Sequence, residues 1–214
     1  MQLLAGGDGP RPRRRWWEVA APSLLVCGAW VIVAATHLFG VWIANLGLFS
    51  WLVYVLAWLV GIALTAMGVV ALWMLRGPAW AVPTLAVSVL TASVIVAVDW
   101  TYSFVHGYYR LNRADFAAVA TLARSGELGP DAYHGDDLPR ELQHLSINGQ
   151  TARIGPFGDS PHVLFLPAWT GTPDGAVGYA YLADAPTGTT FDCFADPCRA
   201  RWSVGDGWYW LDRS

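Results

Sequence analysis

Apolar residues run almost unbroken through the first half of the chain and alternate with polar ones through much of the second. Three long apolar stretches extend from Ala20 to Val41, from Leu48 to Leu75 and from Ala79 to Val105. Each reaches the about 20 apolar residues that carry a helix across roughly 30 Å of hydrocarbon. From Leu111 the pattern changes. Phe116, Val119, Ala120 and Leu122 share one helical face, and Gly126 stands where a helix-ending glycine belongs. A second short helix is expected after Asp137-Leu138-Pro139, carrying Leu138, Leu142 and Leu145 and ending at Asn148-Gly149. Strand-like runs follow at Thr151 to Ile154, His162 to Trp169, Ala176 to Ala183, Arg201 to Val204 and Trp208 to Leu211. Turn signals at Gly171 to Gly175 and at Gly205-Asp206-Gly207 join neighbouring runs.

The expected fold is therefore a membrane protein: three transmembrane α-helices followed by a small extracytoplasmic α+β domain with an antiparallel β-meander. Its boundaries fall as an Arg-rich cytoplasmic tail at 1–18, a three-helix region at 19–106 and the α+β domain at 107–214. Small residues, namely Ala57, Gly61, Thr65 and Gly68 on the second span and Thr84, Ser88 and Ala92 on the third, form stripes along which helices can approach closely.

Charge fixes the expected orientation. Arg11, Arg13, Arg14 and Arg15 precede the first span and Arg76 lies between the second and third, whereas the Val41 to Gly47 loop is uncharged. Basic residues in short loops stay on the cytoplasmic side. The chain thus starts inside and carries its C-terminal domain outside the cell membrane, with Arg110 and Arg113 as the opposing signal. Aromatics support two interfacial belts: Trp16, Trp17, Trp73 and Trp80 on the inner side, Trp42, Trp51, Trp100, Tyr102, Tyr108 and Tyr109 on the outer. A cleavable signal peptide ending at Val33-Ala34-Ala35 competes for the first span, but apolar sequence continues through Phe39 and Trp42 and favours an uncleaved helix. Cys27 is expected as a small buried hydrophobe.

Composition narrows the classes of function. Only 14% of residues are charged against 55% hydrophobic, and the net charge is −3. Residues before Leu111 balance to +3 and those from Leu111 onward to −6. An acidic soluble half lacks the basic face that nucleic acid requires. Every basic residue is Arg, which suggests a GC-rich bacterial genome.

Candidate chemistry is sparse. Cys193 and Cys198, with four residues between them in a turn-rich segment, are expected to form a structural disulfide; redox cysteines usually enclose two residues. His37, Asp99 and His106 fall near the outer interface and form a candidate polar cluster. His134-Gly135-Asp136-Asp137 is the densest group of oxygen and nitrogen ligands, although either Asp serves equally as a helix N-cap. Trp169, Tyr179, Tyr181, Trp202, Trp208 and Trp210 are candidate binding aromatics or else the core of a small sheet. No nucleophile elbow, phosphate loop or zinc helix is present, so no cofactor and no metal are expected. The leading expectation is a multi-pass membrane protein that presents an extracytoplasmic domain for binding or assembly, with the lipid bilayer and a protein partner at the membrane or outer face. A membrane redox or thiol–disulfide enzyme and an accessory subunit of a larger complex are the alternatives.

Overall fold

A computed structural model of the chain describes residues 17–128, 135–156, 163–171, 175–182 and 189–213. Two compact units emerge: Met1–Ala34 with Leu56–Ala97, and Ala35–Val55 with Val98–Ser214. Helix α1 spans Trp17–Leu38, α2 Gly40–Ile43, α3 Ser50–Arg76, α4 Pro78–Ala97, α5 Trp100–Leu111 and α6 Arg113–Ser125. Three segments, Ala20–Leu38, Gly40–Arg76 and Pro78–Ala97, are long and apolar enough to cross a membrane. The second bends at Gly47, whose φ of 58° suits only a residue without a Cβ. Gly77 at φ 80° ends α3 and Pro78 opens α4, the asymmetric pairing that helix ends favour.

The first unit is built from the small-residue stripe. Ala57, Gly61, Thr65, Gly68 and Leu72 are the buried residues of α3. Val33 and Val26 of α1 pack there so closely that a Cβ on Gly61 or Gly68 would meet their methyl carbons at 3.0 and 2.5 Å. Trp30 and Trp58 meet edge to face at 5.8 Å. On α4 the buried line is Ala81, Ser88 and Ile95, one residue in seven, and among the three residues expected to line it only Ser88 is buried. Cys27 is exposed, because Val26, Ala29, Trp30 and Val33 take the packed face of α1.

The third apolar stretch is not one helix. It breaks at Val98-Asp99, where Asp99 leaves the helical region (ψ 92°) and its Oδ1 accepts from the Tyr102 N–H as the N-cap of α5. Helix α5 packs in the second unit: Phe104, Val105 and Tyr109 are buried there.

The second unit centres on a six-stranded antiparallel sheet of strands β1 Ala152–Ile154, β2 Val163–Thr170, β3 Ala176–Tyr181, β4 Thr190–Cys193, β5 Asp196–Gly205 and β6 Trp208–Arg213. Their order is β1-β2-β3-β6-β5-β4, so two three-stranded meanders join along β3 and β6 where a single meander was expected. A Pro156–Phe191 bridge and the Asp192 N–H to Gly155 carbonyl bond (2.8 Å) draw β4 towards β1 and nearly close a barrel. Expected helix 138–148 is instead a pinned loop with a 3-10 turn at Gln143–Leu145. Leu138, Leu142 and Leu145 are buried as their spacing implied. However, the Leu138 N–H bonds the Gly149 carbonyl and Asp137 pairs with Gln150, which holds both ends of the loop together.

Strand alternation makes two cores. Ala152, Ile154, Val163, Phe165, Ala180 and Phe191 point into the barrel with the disulfide. Leu164, Leu166, Tyr179, Trp208 and Trp210 point outward and are covered by α5, α6 and the Leu138–Leu145 loop. Phe116 of α6, fully buried, sits among the rings of Tyr109 (5.1 Å), Tyr179 (4.8 Å) and Trp208 (5.0 Å).

Candidate functional site: a cleft on the outer sheet face

The site begins with one extra residue in β2. Leu166 pairs with Tyr179 and Pro167 with Gly178, but the next pair is Trp169 with Val177, so Ala168 is a bulge. In an unbroken ladder Trp169 would face the barrel interior; the bulge returns it to the outer face, beside Val177 and the β6 residues Trp210 and Asp212. Gly178 makes this possible. A Cβ there would lie 2.1 Å from the Leu166 carbonyl oxygen and 2.9 Å from the Ala168 nitrogen.

Opposite this face stand the ends of the apolar helices. His37 lies in the last turn of α1, and Asp99 and Trp100 lie at the break before α5. The His37 ring lies 5.2 Å from that of Tyr54 and 6.4 Å from that of Trp100. Asn45 ties the α1–α3 connection to the sheet by donating to the Ala168 carbonyl at 3.5 Å. Between the two walls lies a cleft of about 650 Å³, lined by His37, Tyr54, Asp99, Trp169, Trp210 and Arg213 among others. That volume is in the range of small-molecule sites. A second cavity of about 190 Å³ lies beside Trp42, Phe104, Tyr108 and His144.

Polar groups in the cleft are unevenly satisfied. Asp212 accepts from Arg201 through Oδ2 and from the Arg213 N–H through Oδ1. The Arg213 guanidinium lies 4.4 Å from the centre of the Trp169 ring and 3.4 Å from Asp196. The indole N–H groups of Trp169 and Trp210 are buried and have no acceptor among the described residues. Both residues line the cleft, and a buried donor without an acceptor costs about 1–3 kcal/mol.

A polar network braces the far end of the unit. Asp206, in the two-residue β5–β6 turn, accepts from the Tyr109 hydroxyl at 2.8 Å and from Arg113 at 2.7 and 3.0 Å. Hydrogen bonds from Arg113 and then Tyr109 hold the Asp206 carboxyl below its ordinary range. Burial, reinforced by Asp206, pushes the Tyr109 phenol up to about 12. Burial, then Asp115, does the same for Tyr108, also to about 12.

Of the expected polar cluster, His37 and Asp99 line the cleft, while the His106 ring lies tilted against that of Tyr102 at 4.0 Å and edge to face with Trp202 at 6.3 Å, outside the cleft lining. Of the six aromatics, Tyr179, Trp208 and Trp210 are each 1% exposed, and Trp169, Tyr181 and Trp202 are half-buried. Tyr179 donates its hydroxyl to the Val105 carbonyl at 3.0 Å. Cys193 and Cys198 are bonded, with Cα atoms 5.9 Å apart, and both are fully buried in the barrel interior. Phe194 and Ala195 form the tip of their hairpin, both at positive φ (60° and 69°). His134 lies outside the described residues; Asp137 binds the Gln150 side chain at 2.9 Å. Among the described residues no three metal-ligating side chains converge. Tyr54, Val177 and Arg213 were not legible as site residues. A tyrosine in the second turn of a span was the one available signal for Tyr54. Val177 and Arg213 enter only through the sheet register.

No family model, curated protein or solved structure matches the chain.

Proposed function

We propose that the protein is a multi-pass protein of the cell membrane whose second unit is a binding module on the extracytoplasmic side, and that it works by holding a ligand in the cleft rather than by catalysis. One observation carries this reading. Trp169, Trp210 and Arg213 of the sheet line the same 650 Å³ cleft as His37, Tyr54 and Asp99 of the helical side. A concave site of this size that combines aromatic walls with a few polar groups is the kind that holds small ligands. Orientation is supported by Arg11, Arg13, Arg14, Arg15 and Arg76. The disulfide fits an oxidising compartment. Its sulfurs are buried, which opposes thiol–disulfide exchange as the activity.

Two measurements test it. An alkaline phosphatase fused after Ser214 should be active, and activity of a cytoplasmic reporter at the same point would reverse the topology. Ala44→Trp places a large ring in the cleft wall, so the full chain carrying it should lose any molecule that co-purifies, at unchanged melting temperature. Equal retention by this variant would remove the cleft as the binding site.

A further inference from the structure

The connection between α1 and α3 has one side fixed in the second unit and one side uncovered. It consists of α2 and the 3-10 turns of Ala44–Phe49. On the fixed side, Gly40, Val41 and Ala44 line the cleft, and Val41 packs against the helix-covered core. The Asn45 amide donates to the Val41, Trp42 and Ala168 carbonyls. Trp42 stands edge to face with Phe104 at 5.3 Å and with Tyr108 at 5.8 Å.

The other side is apolar and open. Leu46, Leu48 and Phe49 are 53%, 87% and 69% exposed. Contiguous apolar surface of this kind marks contact with a partner or with lipid. Chemistry and length favour lipid. No Asp, Glu, Lys, Arg or His occurs between His37 and Arg76, so the connection continues the composition of the apolar helices on both sides. The Gly40–Arg76 segment has 37 residues, about 55 Å of helix, against roughly 30 Å of hydrocarbon. Helix α3 alone has 27 of them, about 40 Å, and already exceeds the crossing. The remaining residues, Gly40–Phe49, are surplus to it, and the chain changes direction among them at Gly47. Their backbone is paired within its own turns, as hydrocarbon demands: the Ile43 N–H bonds the Phe39 carbonyl at 3.0 Å and the Ser50 N–H that of Gly47. Leu46, Leu48 and Phe49 offer no side-chain hydrogen bond, which a protein partner would use.

From these observations we infer that Gly40–Phe49 is an in-plane lipid anchor. Leu46, Leu48 and Phe49 enter the bilayer interface, and the fixed side holds the second unit against the leaflet. Through Asn45 and the Ala168 carbonyl, the anchor is tied to the bulge of β2 itself. The inference rests on the membrane reading of the apolar segments and is independent of what the cleft holds. A second copy of the chain is the competing occupant.

Single nitroxide labels test it. The full chain carries Cys27→Ser, which leaves Cys193 and Cys198 bonded to each other. It is labelled in turn at Leu46→Cys, Leu48→Cys and Phe49→Cys in vesicles of phosphatidylethanolamine and phosphatidylglycerol. Ile62→Cys, exposed on α3, calibrates hydrocarbon, and exposed Glu141→Cys calibrates water. Oxygen relaxes labels in hydrocarbon, and a polar nickel chelate relaxes those in water. At the three connection sites nickel relaxation should fall about tenfold below that at Glu141→Cys, with oxygen relaxation raised. Their depth should be about 5–10 Å, shallower than that of Ile62→Cys. Nickel relaxation equal to that at Glu141→Cys would overturn the anchor; the same result at Ile62→Cys would remove the membrane reading as well. Protection from both agents would mean cover by protein and overturn lipid as the occupant. Spin–spin broadening that vanishes on dilution with unlabelled chain would then assign a second copy. Depth that increases by about 1.5 Å per residue from Leu46 to Phe49 would make the connection part of the crossing and overturn the in-plane placement.

Discussion

The two units solve the same packing problem with opposite residues. In the first, α1 and α3 are joined through Gly61 and Gly68, and the valines opposite fill the space a side chain would occupy. In the second, Phe116, Tyr179, Trp208 and Trp210 fill the space between helices and sheet with rings. Hydrocarbon gains nothing by shedding apolar side chains from itself, so helices there gain by backbone proximity. Water gains from every Å² of apolar surface removed, so the second unit uses its largest side chains. The difference also separates how each unit should fail.

Trp208→Ala should show the largest effect. Losing a fully buried indole costs about 3–5 kcal/mol, a large share of a small domain's stability. Near-ultraviolet dichroism of the full chain should collapse while the far-ultraviolet helix signal of the apolar segments persists; joint loss of both would erase the distinction between the units. Replacing Cys193 and Cys198 with Ser opens a loop of sequence separation 5 and should cost the second unit about 2 kcal/mol, seen as a lower melting temperature. An unchanged melting point would mean the bond adds nothing to the barrel interior. Gly68→Ala sharpens the other side of the comparison. Its methyl would meet Val26 at 2.5 Å, so helix association should weaken by about 1 kcal/mol in detergent titration, with the second unit's melting unaltered.

The smallest expected effect is that of pH on the Tyr109–Asp206–Arg113 network. Asp206 has a lowered folded pKa, so its stabilisation is present above its unfolded value near 4 and is lost as pH falls through the folded value. Tyr109 has a raised one, so its share is complete below pH 10 and disappears as pH rises towards about 12. The melting temperature should therefore fall at both extremes, and Asp206→Asn should remove the acid limb and shrink the alkaline one, which burial of Tyr109 alone would then sustain. Arg113 and Asp206 are largely exposed, so salt should shrink that limb.

How much of this was legible in the sequence follows from the range of the interactions. Apolar run length and period-two alternation are local, so the three span candidates and the strands containing Trp169, Tyr179 and Trp210 could be read directly. Thr190–Cys193 escaped because Phe191 is its only large apolar residue and its burial comes from the partner strand. The loop at 138–148 has helical apolar spacing but forms its bonds across a sequence gap, to Gly149 and Gln150, which periodicity cannot register. At Asp99 an N-cap lay inside an apolar run and passed as an interfacial polar residue. The cleft was partly visible through His37 and Asp99. Its sheet wall was not, because the orientation of Trp169 depends on a pairing irregularity with Gly178.

That irregularity means the site is specified by arithmetic as well as by chemistry. Removing Ala168 would leave every cleft residue in the polypeptide, yet turn Trp169 towards the barrel interior and leave Val177 facing a different neighbour. The demand on β2 is therefore one of residue count: the loss of a single small, chemically silent residue would dismantle the sheet wall of the cleft.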